Sequence, residues 1–461
     1  MAAFCFFKGR FHSNYIFPTK MNKPPETDQQ TGLKKTLGPL MLWGLGVGYV
    51  ISGMYFGWNL GLEKGGTMGM AIATFFIIIM YITFTFSYTE LACAIPKAGG
   101  AFDYADRGLG KNLGFLAGMA QLVEFVFAPP AIALAIGAYF NIFLPDINPL
   151  MIAIIAYLIF TGLNIYGVKA AASFELIITV FAVVELLIFA GATLPSFEFE
   201  NLTKNALPNG FTGAFAAIPF AIWFFLAIEG VANVAEETIN PQRNVLIGFG
   251  SALLTLVTLC LLTFASSVGV AGWEAVVFNP ETNELSDSPL PLALGRVVGE
   301  SAFLYHLLIV IGLFGLVASF HGIILAAGRA TFEFGRIGYF PKKLGLVNKK
   351  FQTPANALIV NLIIGILALL TGKTGEIITI ACFGALTLYF ISMIALIQLR
   401  KKEPNLERPF KVPLYPIFPY LALIIAVFSF ISMTIYNLEL AGVYFGIIFI
   451  SFIGFKLFVR K

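Results

Sequence analysis

Long apolar segments recur along the whole sequence and constrain the fold more than any other feature. Most are long enough to cross the roughly 30 Å hydrocarbon core of a bilayer as an α-helix. Charged residues make up 12% of the 461 residues, against about 25% in a typical soluble protein. The longest polar interval, 273–299, is too short for a soluble domain. The sequence therefore predicts an all-α integral membrane protein that crosses the bilayer many times.

The apolar segments predict twelve transmembrane helices, numbered here as spans 1 to 12. Spans 3 and 8 are longer than the bilayer requires, which permits tilt. The interval between spans 7 and 8 is expected to fold back as a short re-entrant or surface helix at 289–299. The predicted spans are 38–61, 67–92, 113–143, 149–167, 171–194, 214–235, 245–271, 301–333, 355–371, 375–399, 414–436 and 440–459.

The distribution of Lys and Arg predicts the orientation. With the amino terminus in the cytoplasm, 25 of the 29 basic residues fall in inside segments, and the other four are Lys64, Lys204, Arg296 and Lys373. Cytoplasmic loops of membrane proteins carry such an excess. We therefore expect a multi-pass protein of the cell membrane with both termini in the cytoplasm. The net charge of +4 then reflects topology and not nucleic-acid binding.

Cysteine usage and motif content exclude several classes of function. Cys5, Cys93, Cys260 and Cys382 show neither paired nor metal-ligand spacing, and Cys in apolar segments behaves as a small hydrophobe. The sequence has no His-Glu-x-x-His helix and no Ser-His arrangement at shared membrane depth. We therefore predict no cofactor, no metal site and no enzymatic activity.

Spans 1 and 6 are each interrupted near the middle by Gly and a polar residue. In span 1 the interruption is Ser52-Gly53, and in span 6 it is Glu229-Gly230. Gly-interrupted segments at corresponding positions of two halves point to the binding site of an inverted-repeat transporter. For span 1 alone, close helix packing at Gly residues spaced four apart remains an alternative.

Five spans separate the two interruptions, and this spacing predicts the domain organisation. The expected transport core is 38–399, with repeats 38–194 and 214–399. Spans 11 and 12 and the carboxyl terminus follow in 400–461. The tail is 1–37, and its first 20 residues lack the apolar core of a signal peptide. We expect Met21 to be the natural start and the preceding residues to be an upstream extension.

Acidic residues inside apolar runs are functional-site hypotheses by default, because an ionisable group at membrane depth costs roughly 2.5–3.5 kcal/mol on insertion scales. Glu229 is predicted to face a substrate ammonium or to carry a coupling proton. The alternative is a protonated acid that is hydrogen-bonded to a neighbouring helix. Glu185 is a second candidate for the coupling proton. Glu124 is expected to face the cavity, whereas Glu90 is expected to brace a loop.

The remaining predicted site residues lie beside the two interruptions. Backbone carbonyls freed in span 1 can accept hydrogen bonds from an ammonium group, and Trp or Phe rings attract cations by roughly 0.5–2 kcal/mol. The predicted substrate-binding residues are Tyr49, Val50, Ile51, Ser52, Gly53, Glu124, Trp223, Phe225, Glu229 and Gly230.

Three loop motifs resemble those of the amino acid–polyamine–organocation superfamily of transporters. They are ELACAIPKAGGAFDY from Glu90, AEETINPQRNV from Ala235, and GRATFEFGRIGYFP from Gly328. The resemblance implies a LeuT-like 5+5 inverted repeat with broken helices 1 and 6, a midplane site and alternating access. The first motif is carried by Glu90, Leu91, Pro96, Ala98, Gly99, Gly100, Phe102 and Tyr104.

Departures from the amino-acid members bear on the substrate. A Gly-Ser-Gly-type break that holds a substrate carboxylate reads Ile51-Ser52-Gly53 here, and Ala182 stands where some members have Lys in span 5. GMYFGWNLGL, LVEFVFAPPAIALA and WFFLAIEGVANVAEET resemble the ethanolamine permease branch. The resemblance therefore implies import of ethanolamine, with a proton as the expected coupling ion. An amino-acid permease or exchanger and, remotely, a non-transporting membrane sensor are the alternatives. The oligomeric state stays open.

Overall fold

The computed structural model describes residues 35–97, 99–167 and 171–458. The regular structure of these residues is helical, and their β-pairing is confined to isolated bridges. This agrees with the predicted all-α fold class. The predictions that concern the first 20 residues and Ala98 fall outside the described residues.

The described residues form eighteen α-helices, numbered in chain order, and three 3-10 helices. The 3-10 helices are Leu194–Ser196, Ile228–Glu237 and Lys342–Gly345. The α-helices are α1 (Pro39–Val50), α2 (Ser52–Tyr55), α3 (Asn59–Ala94), α4 (Ala101–Leu109), α5 (Lys111–Asn141), α6 (Pro149–Tyr166), α7 (Ala171–Thr193), α8 (Phe199–Thr203), α9 (Thr212–Ala216), α10 (Ile218–Trp223), α11 (Pro241–Ala271), α12 (Glu274–Val277), α13 (Pro289–Val298), α14 (Phe303–Arg336), α15 (Ala355–Leu369), α16 (Thr374–Lys402), α17 (Ile417–Tyr436) and α18 (Leu438–Phe458).

Nine helices of the described residues are long and apolar enough to cross a membrane. They are α3, α5, α6, α7, α11, α14, α16, α17 and α18, and each coincides with a predicted span. The other three predicted spans are 1 and 6, where the helix is broken, and 9, where α15 has only 15 residues. The chain is therefore a multi-pass helical membrane protein, and the count of twelve crossings stays a prediction. The short helix expected at 289–299 corresponds to α13.

Burial separates a central helix from peripheral ones. The protein buries 94% of the most apolar stretch of α5 but only 17% of that of α18. α5 packs against α4, α6, α14 and α16. Because a helix that is apolar on all sides belongs either in a core or in lipid, α5 belongs to the core and α18 presents its outer face to the bilayer.

Gly66 separates the second half of span 1 from span 2 within α3. Its φ of +63° lies in the left-handed region, where glycine carries no side-chain penalty. A Cβ at this position would also lie 2.6 Å from the Ala206 carbonyl oxygen. Residues 59–65 therefore complete span 1, and span 2 begins directly after Gly66.

A buried ion pair ties together one end of the bundle, the end at which α3, α14 and α16 finish, which we call the basic end. The fully buried Glu90 accepts two hydrogen bonds from Arg400, at 2.7 and 2.6 Å. Arg408 lies 3.3 Å away, and the Val412 N–H donates at 2.7 Å. Glu90 thus holds α3 to α16 and to the loop that follows it, as expected for a loop brace.

Candidate substrate site

The main interruption of the helix of span 1 lies one turn after the predicted one. Ile51 keeps helical dihedral angles, and its N–H donates to the Val47 carbonyl at 2.8 Å. The full interruption follows α2, where Phe56 is extended and Gly57 has a φ of +85°. The β-branched Ile51 is compatible with a helix, whereas the Gly57 conformation is not. The α-helix of span 1 is thus interrupted at Ile51, directly before the predicted Ser52-Gly53, and its main interruption lies about four residues further on.

The helix of span 6 is interrupted just before the predicted Glu229-Gly230 pair. α10 ends at Trp223, and Ala227 adopts a left-handed conformation with a φ of +72°. A 3-10 helix, Ile228–Glu237, replaces the α-helix that would otherwise continue. Irregular backbone at membrane depth is tolerated only where protein buries it or where it lines a cavity, and here the segment is buried.

The two interrupted segments cross each other in close contact. Gly53 packs directly on the Trp223 carbonyl, which leaves no room for a side chain. The Trp223 indole N–H donates to the Phe56 carbonyl at 3.1 Å, so that one break supplies the hydrogen-bond partner for the other. Gly230 lies against the ring of Tyr49. The structure thus brings these predicted residues of spans 1 and 6 together.

Two buried carboxyl groups lie beside the break in span 6. Glu124 from α5 accepts a hydrogen bond from the Ala227 N–H at 3.0 Å, and the Tyr389 hydroxyl donates to Glu229 at 3.1 Å. Tyr389 is 3.0 Å from the hydroxyl of Tyr81. The carboxyl groups of Glu124 and Glu229 also interact with each other. We call Glu124 and Glu229 the carboxyl pair.

Each member of the carboxyl pair retains an oxygen without a partner. Glu124 Oε2 and Glu229 Oε1 are buried and accept no hydrogen bond, and both residues are fully buried. Two neighbouring carboxylates in a low-dielectric site cannot both stay ionised without compensation. A proton shared between them or a bound cation can supply that compensation. The arrangement is therefore suited to a small cation or a proton.

Aromatic rings enclose the carboxyl pair. Phe225 packs on Tyr81 with a centroid separation of 5.1 Å, and Phe84 packs on Tyr389 at 4.3 Å. The ring of Phe125 approaches Gly230. Aromatic faces attract ammonium groups, so this environment favours an organic cation. Trp223, predicted as a wall of the site, joins the two breaks through its indole N–H.

One of the carbonyl groups of span 1 that were predicted to receive the ammonium already accepts a hydrogen bond. The Ser319 hydroxyl of α14 donates to the Tyr49 carbonyl at 2.6 Å and lies 2.8 Å from the Ser52 hydroxyl. Val50 and Ile51 are buried apolar side chains. A carbonyl oxygen can accept two hydrogen bonds, so the role predicted for the carbonyl groups of residues 49–52 stays a prediction.

Glu185 lies apart from the carboxyl pair. Its carboxylate accepts a 2.6 Å hydrogen bond from Tyr55, which follows the crossing of the two breaks. Glu185, Tyr55 and Tyr139 line a small cavity beneath α13, together with Leu290, Pro291 and Leu294 of that helix. The structure thus gives the two proton-coupling candidates different partners, Tyr389 for Glu229 and Tyr55 for Glu185.

Three hydroxyl side chains of the site were not predicted: Tyr81, Tyr389 and Ser319. Each is a single polar residue inside a long apolar helix. That pattern is a weak signal, because the chain has 16 Tyr residues and nothing in the sequence aligns α3, α14 and α16 with the breaks.

The sequence profile of a family described as amino acid permease matches residues 37–455. The chain belongs to the amino acid permease family. This family of transporters agrees with the resemblance to the amino acid–polyamine–organocation superfamily. The match covers every helix from α1 to α17 and nearly all of α18.

Several relatives of this permease match over most of its length. An uncharacterized transporter of Rhizobium meliloti is 28% identical over 410 residues, which cover 85% of each chain. A branched-chain amino acid permease of Bacillus subtilis is 24% identical, covering 88% of this chain and 90% of its own. A low-affinity putrescine importer of Escherichia coli is 27% identical, covering 83% and 85%. These names include an amino acid and a diamine as cargo, and so do not single out ethanolamine.

Proposed function

We propose that this permease is a secondary active transporter that imports ethanolamine by alternating access. The observation that carries the proposal is the carboxyl pair, in which each member keeps one unpartnered buried oxygen. An ammonium group placed between Glu124 and Glu229 would donate to both oxygens and would neutralise the charge that burial disfavours.

The charge of the site argues against a substrate carboxylate. None of the described residues 49–58 and 223–230 is a Lys or Arg. A carboxylate bound at the break in span 6 would therefore face the carboxyl pair without a cationic partner, and like charges at close range are unfavourable. A small alcohol amine avoids this repulsion, because its hydroxyl group can use the Tyr81 and Tyr389 hydroxyls.

An amino-acid permease or exchanger is the second candidate. It is favoured by the family and by the branched-chain amino acid permease among the relatives. In that case the substrate carboxylate would have to be held by backbone N–H groups of the breaks, and the carboxyl pair would bind the α-ammonium group. A non-transporting membrane sensor is a remote third candidate.

We further infer the arrangement of the whole permease in the membrane. Twelve crossings would form two inverted repeats, 38–194 and 214–399, and residues 400–461 would add the last two helices. The basic end would face the cytoplasm of a cell-membrane protein, because the basic residues of the connecting loops concentrate there. Broken helices that meet at mid-depth suit alternation of one repeat against the other.

Hydrogen bonds at the basic end form what we call a closed gate, and closure at one end of the molecule is what alternating access requires. The N–H groups of Thr36 and Leu37 donate to the Glu237 carbonyl at 2.9 and 3.0 Å. The Glu237 side chain also accepts from Arg329 of α14 at 3.0 Å. These contacts tie the start of α1 to the end of the broken span 6. Release of the substrate into the cytoplasm would require them to open.

Proton coupling is part of the proposal. If a proton and the ammonium substrate competed for the carboxyl pair alone, the transporter would exchange one for the other. Import of both together requires a second proton-binding residue. Glu185 is the residue that the sequence offers for this role, and its buried contact with Tyr55 places it beside the crossing.

The test is counterflow in proteoliposomes that contain the purified permease. We expect labelled ethanolamine to exchange with internal ethanolamine, and excess alanine or leucine to leave the exchange unchanged. Exchange of labelled amino acids without exchange of ethanolamine would overturn the substrate assignment in favour of the second candidate. If no amine or amino acid exchanged, the sensor would become the better explanation.

A further inference from the structure

Another buried carboxyl group lies on α7, away from both the carboxyl pair and Glu185. Glu175 is 3% exposed, and its Oε1 atom has no hydrogen-bond partner. Glu175 was not predicted as a functional residue, because it lies near the start of a predicted span, where a polar residue is common. A buried carboxylate without donors is unfavourable by several kcal/mol, so its position requires an explanation.

The carboxyl group of Glu175 fills the seam between α1 and α14. A Cβ added to Gly48 of α1 would lie 2.7 Å from Glu175 Oε1, and one added to Gly322 of α14 would lie 3.4 Å from it. The nearby Thr179 hydroxyl donates to the Gly44 carbonyl at 3.2 Å, and its hydrogen is therefore not available to Glu175. The two glycines let α1 and α14 close directly over the acid.

The charges around Glu175 do not compensate an ionised carboxylate. Tyr49 of α1 is the titratable side chain that interacts with it, and a tyrosine hydroxyl brings no positive charge. Arg329 of α14 is paired with Glu237, and His321 of α14 contacts Asn164 of α6. The other titratable side chains on the described helices packed against α7 are Arg243 and Cys260 of α11, Arg296 of α13, and Tyr305, His306, Glu333 and Arg336 of α14.

These surroundings link protonation of Glu175 to the position of α1. While α1 is seated against α7 and α14, the acid is buried and no Lys or Arg among the described residues forms an ion pair with it, so the neutral form is favoured. If α1 moves away, water reaches the carboxyl group, and the free-energy cost of its ionisation falls. A group that favours different protonation states in two conformations couples the proton to the conformational equilibrium.

We propose that Glu175 is the proton-release residue of this permease and that its protonation holds α1 in the closed position. When the gate at the basic end opens, the O–H bond of the acid breaks, and the proton passes to cytoplasmic water. The ionised carboxylate then opposes the return of α1 until it is protonated again. This inference rests on the proposed transport activity, but it does not depend on which amine or amino acid is carried.

Glu185 and Glu175 lie ten residues apart on α7, which corresponds to about 15 Å along the helix axis. Glu185 lies next to the cavity beneath α13, and Glu175 lies closer to the gate formed by Glu237 and Arg329. The side chains of Ser52 and Ser319 lie on the neighbouring helices between them. Two carboxyl groups arranged in this way give a proton a route separate from the carboxyl pair, which symport requires.

The test compares Glu175→Gln with wild type in two transport assays on the full-length permease. Glutamine keeps the shape of the protonated acid but cannot release a proton. Because the neutral amide favours the closed position of α1 as the protonated acid does, we expect counterflow of labelled ethanolamine at equal pH to continue at a reduced rate. An inward pH gradient of about one unit can drive about a tenfold accumulation, and we expect this accumulation to be lost in the variant. Glu198→Gln, at an exposed acid, is the matched control and should behave as wild type.

Each outcome bears on the proposal. Accumulation that persists in Glu175→Gln would overturn it. Complete loss of counterflow together with accumulation would also overturn it, because Glu175 would then serve folding or substrate binding. Should wild type fail to exchange ethanolamine, the proposed substrate fails, and infrared spectroscopy without substrate still tests Glu175. We expect a carbonyl stretching band of a protonated carboxyl group that is present in wild type at neutral pH and absent from Glu175→Gln. Identical spectra would refute the assignment.

Discussion

Replacement of Glu229 by Gln tests the carboxyl pair most simply. The substitution removes one negative charge while keeping the size of the side chain. In the folded permease, the introduced amide can still accept from Tyr389, and it can donate to the unpartnered Glu124 Oε2. We therefore expect Glu229→Gln to fold and to keep a thermal stability equal to or above that of wild type.

Substrate binding should respond differently, because the ammonium group loses one of its two anionic acceptors. A hydrogen bond to a charged group contributes about 1.5–3 kcal/mol, which corresponds to a dissociation constant about 10- to 150-fold higher. The measurement is equilibrium binding of labelled ethanolamine to purified protein. Because Glu124 remains, binding should be weakened and not abolished.

Tyr389→Phe is the matched control for this experiment. It removes a neutral donor to Glu229 without changing the charge of the site, and a hydrogen bond of this kind contributes about 1 kcal/mol. The expected loss in affinity is therefore about fivefold. If Glu229→Gln bound ethanolamine as tightly as wild type, or if Tyr389→Phe had the larger effect, the carboxyl pair would not be the cation site.

Three further predictions concern the crossing and the two ends of the bundle. Gly53→Ala should abolish transport in a protein that still inserts into the membrane, because its Cβ would collide with the Trp223 carbonyl; Gly250→Ala, which has open space around the added Cβ, should transport normally. Glu90→Gln should lower the free energy of unfolding by about 3–5 kcal/mol, because Arg400 and Arg408 lose a buried partner. The control Glu403→Gln removes the exposed pair with Arg107 and should lower it by at most about 1 kcal/mol. Thermal unfolding measures both variants. Burial raises the pKa of Asp287 to about 6 from an ordinary 3.8, although its hydrogen bond from Thr374 opposes this. As pH rises between these two values, the unfolded chain loses the proton first, and Asp287 increasingly destabilises the folded state. Asp287→Asn should therefore match wild type in thermal stability at pH 4 and exceed it at pH 7. Equal stabilities at both pH values would contradict the reasoning.

Much of the fold could be predicted from the sequence because apolar length and charge position are strong signals in a membrane protein. The nine long helices coincide with predicted spans. The position of the main break in span 1, at Phe56-Gly57, could not be predicted, because Ser52-Gly53 also carries a glycine after a larger residue. Which glycine is needed for its left-handed conformation depends on Trp223, which lies in another span.

The candidate site was predicted in part for the same physical reason. Glu124 and Glu229 stood out because acids are rare in apolar runs, and the structure places them together. Glu175 is also buried but was not predicted as a site residue, because its place near the start of span 5 resembles an ordinary membrane-edge position. Tyr389 and Ser319 complete the hydrogen bonding only through tertiary packing, which helical periodicity does not encode.

The central claim is that the carboxyl pair at the crossing of the two breaks binds the ammonium group of the substrate. The most direct measurement is a cryo-electron microscopy structure of the permease with ethanolamine bound. We predict density for the amine between Glu124 and Glu229, with the ammonium nitrogen within hydrogen-bonding distance of both carboxyl groups. Density for the ligand elsewhere would contradict the account.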